Sequence, residues 1–500
     1  MILHLEKYRN FGRSFSIFAW TDAGWQSPPL ASALIYELHV GTFTPEGTFE
    51  AAIAKLDYLR ELGINAVEIM PIMEFPGSHS WGYNPSLIYA IESDYGSAQD
   101  MRRFIRSAHE RGIAVLLDVV YNHLGPGDLD LWRFDGWYEN DKGGIYFYND
   151  DRSQTPWGET RPDYGREEVR AYLRDNALHW LLDYGFDGLR WDATAYIRSV
   201  DGSEGDGALP EGWSLMQQTN DEARTRKPRA IAIAEDLQSN PALVRRVADG
   251  GAGFDAQWDA AFVHPVRQAL IGADDAGRDM DAVRDAITHR FDDDAFRRVI
   301  YTESHDEVAN GKARVPEEVD PGRASSWAAK KKSALGAALV FTAPGVPMIF
   351  QGQEFLEDDW FHDNDPLDWS KKDRFAGIWR LYRDLIALRR NRAGRTAGLC
   401  GQGVDVFHVD HDGKVIAYNR WADGGPGDSV VVVANFSNQR YDDCAITFPA
   451  AGVWHTRFNG DSKDYDDAFG DEGPGSCEAF AHDDGAIRAR LTLPPYTALV

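Results

Sequence analysis

The sequence predicts a (β/α)₈ barrel with a short lobe inserted after its third strand and an antiparallel β-sandwich behind it. Three observations carry that prediction. Apolar runs of strand length alternate with helical stretches between about residues 34 and 394. Acidic residues recur at the C-terminal ends of several of these runs, the face on which barrel enzymes keep their reactive groups. Beyond residue 395 the pattern changes to short β runs separated by Gly and Asp. An open doubly wound sheet is the competing fold, but it usually has fewer strands and a Gly-rich first turn, which is absent here.

Residues 1–33 mix Phe and Trp with polar residues and show no period, so they read as a lead-in packed against the main domain. The first strand is expected at 35–40. A helix from Thr48 follows, with Ile53, Leu56, Leu59 and Leu62 on one face and Gly63 closing it. Further strands are expected at 64–70, 113–120, 186–191, 229–234, 254–258, 298–302 and 346–350, with helices at 99–111, 167–184, 241–248, 327–340 and 375–390. The stretch 123–165, rich in Gly, Asp, Trp and Tyr, is too long for a simple connection and reads as a lobe beside the active face. Strands of the second domain, 395–500, are expected at 404–409, 414–421, 429–437, 441–448, 454–459 and 486–493.

Composition narrows the function. Five hundred residues suffice for one large catalytic domain and a smaller appendage. A formal net charge of -27 leaves no basic field for nucleic acid and suits a neutral or weakly polar substrate. Cys400, Cys444 and Cys477 lack metal-ligand spacing and read as reduced thiols. The stretch MILHLEKYRN has no apolar core or cleavage site, and no run is long enough to cross a bilayer, so a cytoplasmic protein without a membrane partner is expected.

The chemistry is read from the strand ends. Asp118 closes the apolar run beginning at Ala114. Asp192 closes the segment Tyr184-Gly-Phe-Asp-Gly-Leu-Arg-Trp-Asp192, Glu235 closes Ile231-Ala-Ile-Ala, and Asp306 follows the seventh strand. One such acid is often only a helix cap or a salt-bridge partner. Four together, interleaved with His123, Arg190 and His305, point to one mouth. Carboxylates without a Cys/His cluster, a Ser elbow or a phosphate loop suit glycosidic cleavage, in which one attacks the anomeric carbon and a protonated one donates to the leaving oxygen. A divalent-metal site for phosphoryl transfer or isomerisation is the competing use. Trp81, Tyr83, Trp132, Trp137, Tyr146, Tyr148, Trp157 and Trp191, in or beside the predicted mouth loops, favour a sugar cleft, because sugar rings stack on flat aromatic faces.

At these residues the chain resembles the α-amylase family of glycoside hydrolases from about residue 34 onward. Asp118-Val-Val-Tyr-Asn-His123, Gly188-Leu-Arg-Trp-Asp192, Ala234-Glu235-Asp236 and Ser304-His-Asp-Glu307 are similar to its four signatures, in order. The resemblance implies Asp192 as nucleophile, Glu235 as general acid/base and Asp306 as the residue that holds the sugar's hydroxyls. Arg190 would keep Asp192 ionised. His123 and His305 would bind the same ring, and Tyr83, in Trp81-Gly-Tyr-Asn-Pro85, would stack beneath it. Asp118, Trp81 and Trp191 complete the expected substrate-binding set.

Tyr36-Glu-Leu-His-Val-Gly-Thr-Phe-Thr-Pro-Glu-Gly47 and Thr155-Pro-Trp-Gly158 are similar to glycogen branching enzymes and maltooligosyltrehalose trehalohydrolases, and Ser304-His-Asp-Glu307 and Phe350-Gln-Gly-Gln-Glu354 to branching enzymes. The implied activity is that of a retaining transglycosidase on α-1,4-glucans that forms α-1,6 branches. A malto-oligosaccharide hydrolase, including one releasing trehalose, is the alternative, and a non-catalytic glucan-binding protein a remote one. No cofactor is expected. Many relatives hold a structural calcium through an Asn matching Asn122, but that site is not favoured here.

Overall fold

The computed structural model describes residues 18–22, 24–203, 205, 207–425 and 427–500. Eight parallel strands close into a barrel: β1 (Ile35–Leu38), β2 (Ala66–Ile69), β3 (Ala114–Val119), β4 (Gly188–Trp191), β5 (Ile231–Ala234), β6 (Ala256–Trp258), β7 (Arg298–Ile300) and β8 (Val346–Phe350), with β8 returning to β1. Every expected barrel strand is present, most of them shorter than read. The apolar run continues past the ladder in most of them, and in the first the residues after Leu38 turn into the short helix Val40–Phe43.

Strand alternation sorts the side chains into two cores. Ile35, Ala66, Ala114, Leu116, Ile231, Ile233, Ala256, Val299, Val346 and Met348 fill the barrel interior. Tyr36, Leu38, Val67, Ile69, Val115, Leu117, Leu189 and Trp191 belong to the core that meets the helices. The same parity, followed two residues further along each strand, turns Glu37, Glu68, Asp118, Arg190 and Glu235 inward, toward the C-terminal mouth.

Residues 1–17 of the expected lead-in lie outside the described residues. Further on, the Trp25 indole donates to Asp187 Oδ1 at 2.8 Å and stacks on His109, whose Nε2 meets Asp187 Oδ2 at 2.9 Å. Three helices not read from the sequence, Pro210–Arg226, Ala260–Ile271 and Met280–Thr288, complete the outer ring. The first is largely polar and follows a Gly/Ser/Asp stretch, so its apolar stripe is weak. The expected helix at 241–248 is two 3₁₀ turns, Pro241–Val244 and Val247–Asp249.

The second domain pairs two antiparallel four-stranded sheets. One orders Gly403–Asp410, Val415–Trp421, Val430–Asn435 and Thr497–Leu499; the other orders Tyr441–Thr447, Ile487–Leu493, Ser476–Ala481 and Gly452–His455. The strands Ser476–Ala481 and Thr497–Leu499 were not anticipated, the former because four of its six side chains face solvent and give no clear apolar alternation. All three cysteines are free thiols.

Lys331, on the helix Trp327–Thr342, joins the domains. Its buried ammonium donates to Asp461 Oδ1 at 2.7 Å and to Thr497 Oγ1 at 2.5 Å. Lys331→Met leaves Asp461 charged, buried and unpaired, and is expected to cost about 3–5 kcal/mol in denaturant unfolding. A second change, Asp461→Leu, should recover part of that loss.

Candidate active site

At the C-terminal ends of the strands lies a cleft of about 670 Å³ whose lining includes Tyr83, Trp157, Asp192, Glu235, His305 and Asp306. Its floor is organised by Arg190, fully buried on β4. One guanidinium nitrogen, Nη1, donates to Asp118 Oδ2 at 2.7 Å and to Asp192 Oδ1 at 2.9 Å. The other, Nη2, lies 3.8 Å from Glu235 Oε2. The Trp258 ring packs 4.3 Å from the guanidinium. The second oxygen of Asp192 accepts from Asn122 Nδ2 at 2.7 Å, so both carboxylate oxygens are held by donors.

Glu235 is positioned by the residues just after Asp192. Ala193 adopts a left-handed conformation, φ 41°, which aims its N–H at Glu235 Oε2, 2.6 Å away. The Thr194 N–H and hydroxyl both donate to the Glu235 carbonyl at 2.8 Å. Arg198 then clamps the next residue, donating from Nε and Nη2 to the two oxygens of Asp236, each at 2.9 Å. Burial pushes the Glu235 carboxyl up to about 8, against the pull of Arg190 and with added repulsion from Asp192 and Asp306. At neutral pH it is a proton donor.

On the opposite wall, Asp306 is half-exposed and its carboxylate lies 3.5 Å from His305 Nε2. The far side of that imidazole meets Glu37 Oε1 at 2.5 Å, and the His305 N–H donates to Glu37 Oε2 at 3.2 Å. Burial opposes a charge on His305, but Asp306 and Glu37 outweigh it and raise the ring to about 9, making it a cation at neutral pH. Tyr83 stacks on His305 with centroids 4.8 Å apart and donates its hydroxyl to Asp118 Oδ2 at 2.5 Å. Gly82 permits this approach: its φ is +95°, and a Cβ there would stand 2.3 Å from the Pro71 carbonyl. His123 meets the Tyr83 carbonyl through Nε2 at 2.7 Å and stacks on Trp157, while burial holds it neutral. Trp81 lines the cleft and stacks on Phe361.

The structure therefore brings Asp192, Glu235, Asp306, Tyr83, His123, His305 and Trp81 to one cleft. Asp118 and Arg190, expected to touch substrate, lie beneath it and act through Tyr83 and Asp192. Trp191 corrects the reading: it is 1 % exposed, faces away from the cleft, and packs edge-on to Tyr121 and Phe254, because strand parity turns it outward when Arg190 turns in. Of the other aromatics expected there, Trp157 joins Trp81 and Tyr83 in the lining, as does Tyr196, which the sequence reading did not single out.

Glu37 and Arg198 were not read as site residues. The signal for Glu37 was present, since an acid in the middle of a buried strand needs a partner. Arg198 had none, because its contact with Asp236 is made only by the fold.

Asn122 does not fit a calcium ligand. Its amide is committed to Asp192, and its oxygen faces His123 Nδ1. Among the described residues, no group of three or more His, Cys, Asp or Glu is arranged to hold a metal ion. A larger hollow, about 900 Å³, is lined by residues preceding β5, β6 and β7, and none of the strand-end acids reaches it.

A closed eight-stranded barrel with these acids at its mouth defines a carboxylate-based enzyme. The alpha amylase catalytic domain matches residues 17–128 and 129–378, the alpha amylase C-terminal all-beta domain matches 407–500, and the chain belongs to the alpha-amylase family. It is similar to a malto-oligosyltrehalose trehalohydrolase of Arthrobacter ramosus, 34 % identical over 76 % of this chain and 74 % of that protein. A 1,4-alpha-glucan branching enzyme of Leifsonia xyli is 33 % identical over 96 % of this chain and 67 % of that protein. A putative alpha amylase from Salmonella typhimurium shares the fold, with a TM-score of 0.73 at 23 % identity over 97 % of this chain and 84 % of that one. Among the described residues no helix is long and apolar enough to cross a membrane.

Three outcomes are expected. With Glu235 expected to deliver the proton from its protonated form, kcat/KM should fall as pH rises through about 8, and in Glu235→Gln turnover should vanish while binding persists. Trp191→Ala should cost about 3–5 kcal/mol of stability with little change in KM at temperatures where the variant stays folded.

Proposed function

We propose that the chain is a retaining transglycosidase of α-1,4-glucans that forms α-1,6 branches. The observation that carries the chemistry is the placement of Asp192, held by donors on both oxygens, and a protonated Glu235 around one buried guanidinium. Asp192 attacks the anomeric carbon while Glu235 protonates the departing glycosidic oxygen, forming a glycosyl ester. The resulting Glu235 carboxylate then takes the proton of an acceptor hydroxyl, which displaces Asp192 with a second inversion, so configuration is retained. Asp306, beside the His305 cation, is placed to hold the sugar's hydroxyls, and Tyr83 offers its ring as a platform.

The likeness to branching enzymes along nearly the whole chain supports transfer over hydrolysis. The second reading, hydrolysis of malto-oligosaccharides with release of trehalose, rests on the 34 % identity to the trehalohydrolase.

Proton NMR of the protein with amylose, and separately with maltoheptaose, distinguishes them. New α-1,6 anomeric signals without a rise in reducing ends are expected. Reducing ends without those signals would mean hydrolysis, a trehalose signal the second reading, and silence on both substrates would overturn the substrate class.

A further inference from the structure

The inserted lobe carries an aromatic surface that the cleft does not use. Residues 134–140 are all exposed, and three of them are aromatic: Phe134 at 62 %, Trp137 at 39 % and Tyr138 at 45 %. None lines the catalytic cleft.

This segment is held in place. Arg133 donates from Nη2 to the Asp141 carbonyl and carboxylate, both at 2.7 Å, and from Nε to the Lys142 carbonyl at 3.0 Å. Asn140 Nδ2 donates to the Asn149 carbonyl at 2.7 Å, and the Glu139 N–H to Asn149 Oδ1 at 3.2 Å. Gly144, with φ +84°, closes the loop from behind, where a Cβ would stand 2.4 Å from the Trp137 carbonyl.

The rings are oriented as well as exposed. The Arg133 guanidinium lies 3.7 Å from the Tyr138 centroid and that of Arg166 lies 5.0 Å from Trp137, so a cation backs each ring while much of it stays open to solvent. Ring contacts continue along the flank, from Phe134 to Tyr146 at 5.9 Å, Tyr146 to Tyr172 at 5.7 Å and Tyr172 to Tyr89 at 5.1 Å.

We propose that this flank of the lobe, centred on Trp137 and Tyr138, is a non-catalytic binding site for an α-glucan chain. The inference rests on the α-glucan reading of the cleft. A sugar ring offers an apolar C–H face and a rim of hydroxyls. It is matched by fixed aromatic faces with polar groups at their edges, and Asp135, Glu139 and Asn140 stand between and beside these rings. An interface between copies of the chain fits less well, because such interfaces deplete acids at their centre and each copy carries a formal charge of -27. The catalytic cleft, about 670 Å³, accommodates only a short stretch of a polymer. The same lobe supplies Trp157 to the cleft, and a second contact with the polymer on that lobe would raise its effective concentration at the first.

The test compares the full chain with Trp137→Ala/Tyr138→Ala and with the stacking-competent Trp137→Tyr. Binding is read by affinity electrophoresis in amylose gels, with all three made in the inactive Glu235→Gln background, and turnover is read in active protein. The double variant is expected to lose amylose retardation about tenfold or more. Its kcat/KM on maltoheptaose and its thermal midpoint should stay unchanged, and Trp137→Tyr should keep most of the retardation. Equal retardation of all three proteins would overturn the inference and leave the proposed function standing. Parallel loss on amylose and maltoheptaose would also overturn it, as would a concentration-dependent dimer in sedimentation velocity that the double variant abolishes. No retardation of the parent, together with no turnover of any α-glucan, would remove the functional reading itself.

Discussion

Everything at the mouth of this barrel depends on how charge is balanced inside it. Glu37, Glu68, Asp118, Asp192 and Glu235 are all buried, and the cations among them are Arg190 and His305. Two positive charges do not neutralise five carboxylates in a medium that solvates ions poorly, so some of the acids keep their protons. Burial raises Glu68, Asp118 and Glu235, while Arg190 and Asn122 supply donors to both oxygens of Asp192. That Glu235 keeps its proton, as a general acid must, follows from a shortage of cations as much as from the shape of the cleft. A buried ion cluster of this kind is costly to assemble, and the closed ladder of eight strands with its two apolar cores supports it.

Much of this was legible in the sequence, for a reason that lies in strand geometry. A parallel barrel strand is buried on both faces, so it reads as an apolar run, and any charge within it stands out. Asp118, Arg190, Asp192 and Glu235 were found that way, and the C-terminal mouth follows from their being last. Period two also separates Arg190 from Trp191, although the aromatic character of Trp191 pointed the other way.

The helices were harder to read. Pro210–Arg226 has little amphipathic contrast because its buried positions include Gly212, Thr219 and Asn220, and the residues that orient Glu235 are spread over Ala193, Thr194, Arg198 and Asp236 in contacts that no spacing announces. The short strand Thr497–Leu499 acquires its identity only from pairing with Val430–Asn435. The lobe illustrates a further limit. Trp132, Trp137, Tyr146, Tyr148 and Trp157 were all read toward the cleft, yet of these five only Trp157 lines it, since composition does not say on which side of a loop a ring emerges.

The left-handed turn at Ala193 has a mechanical meaning. The amide that reaches Glu235 belongs to the same peptide unit as the carbonyl of Asp192, which accepts from Asn122 Nδ2 at 3.0 Å, so one planar group links the backbone that carries Asp192 to the carboxyl of Glu235. The positions of the two carboxyls are thus tied through a single amide, held by a residue in a backbone region that costs about 1–3 kcal/mol to occupy.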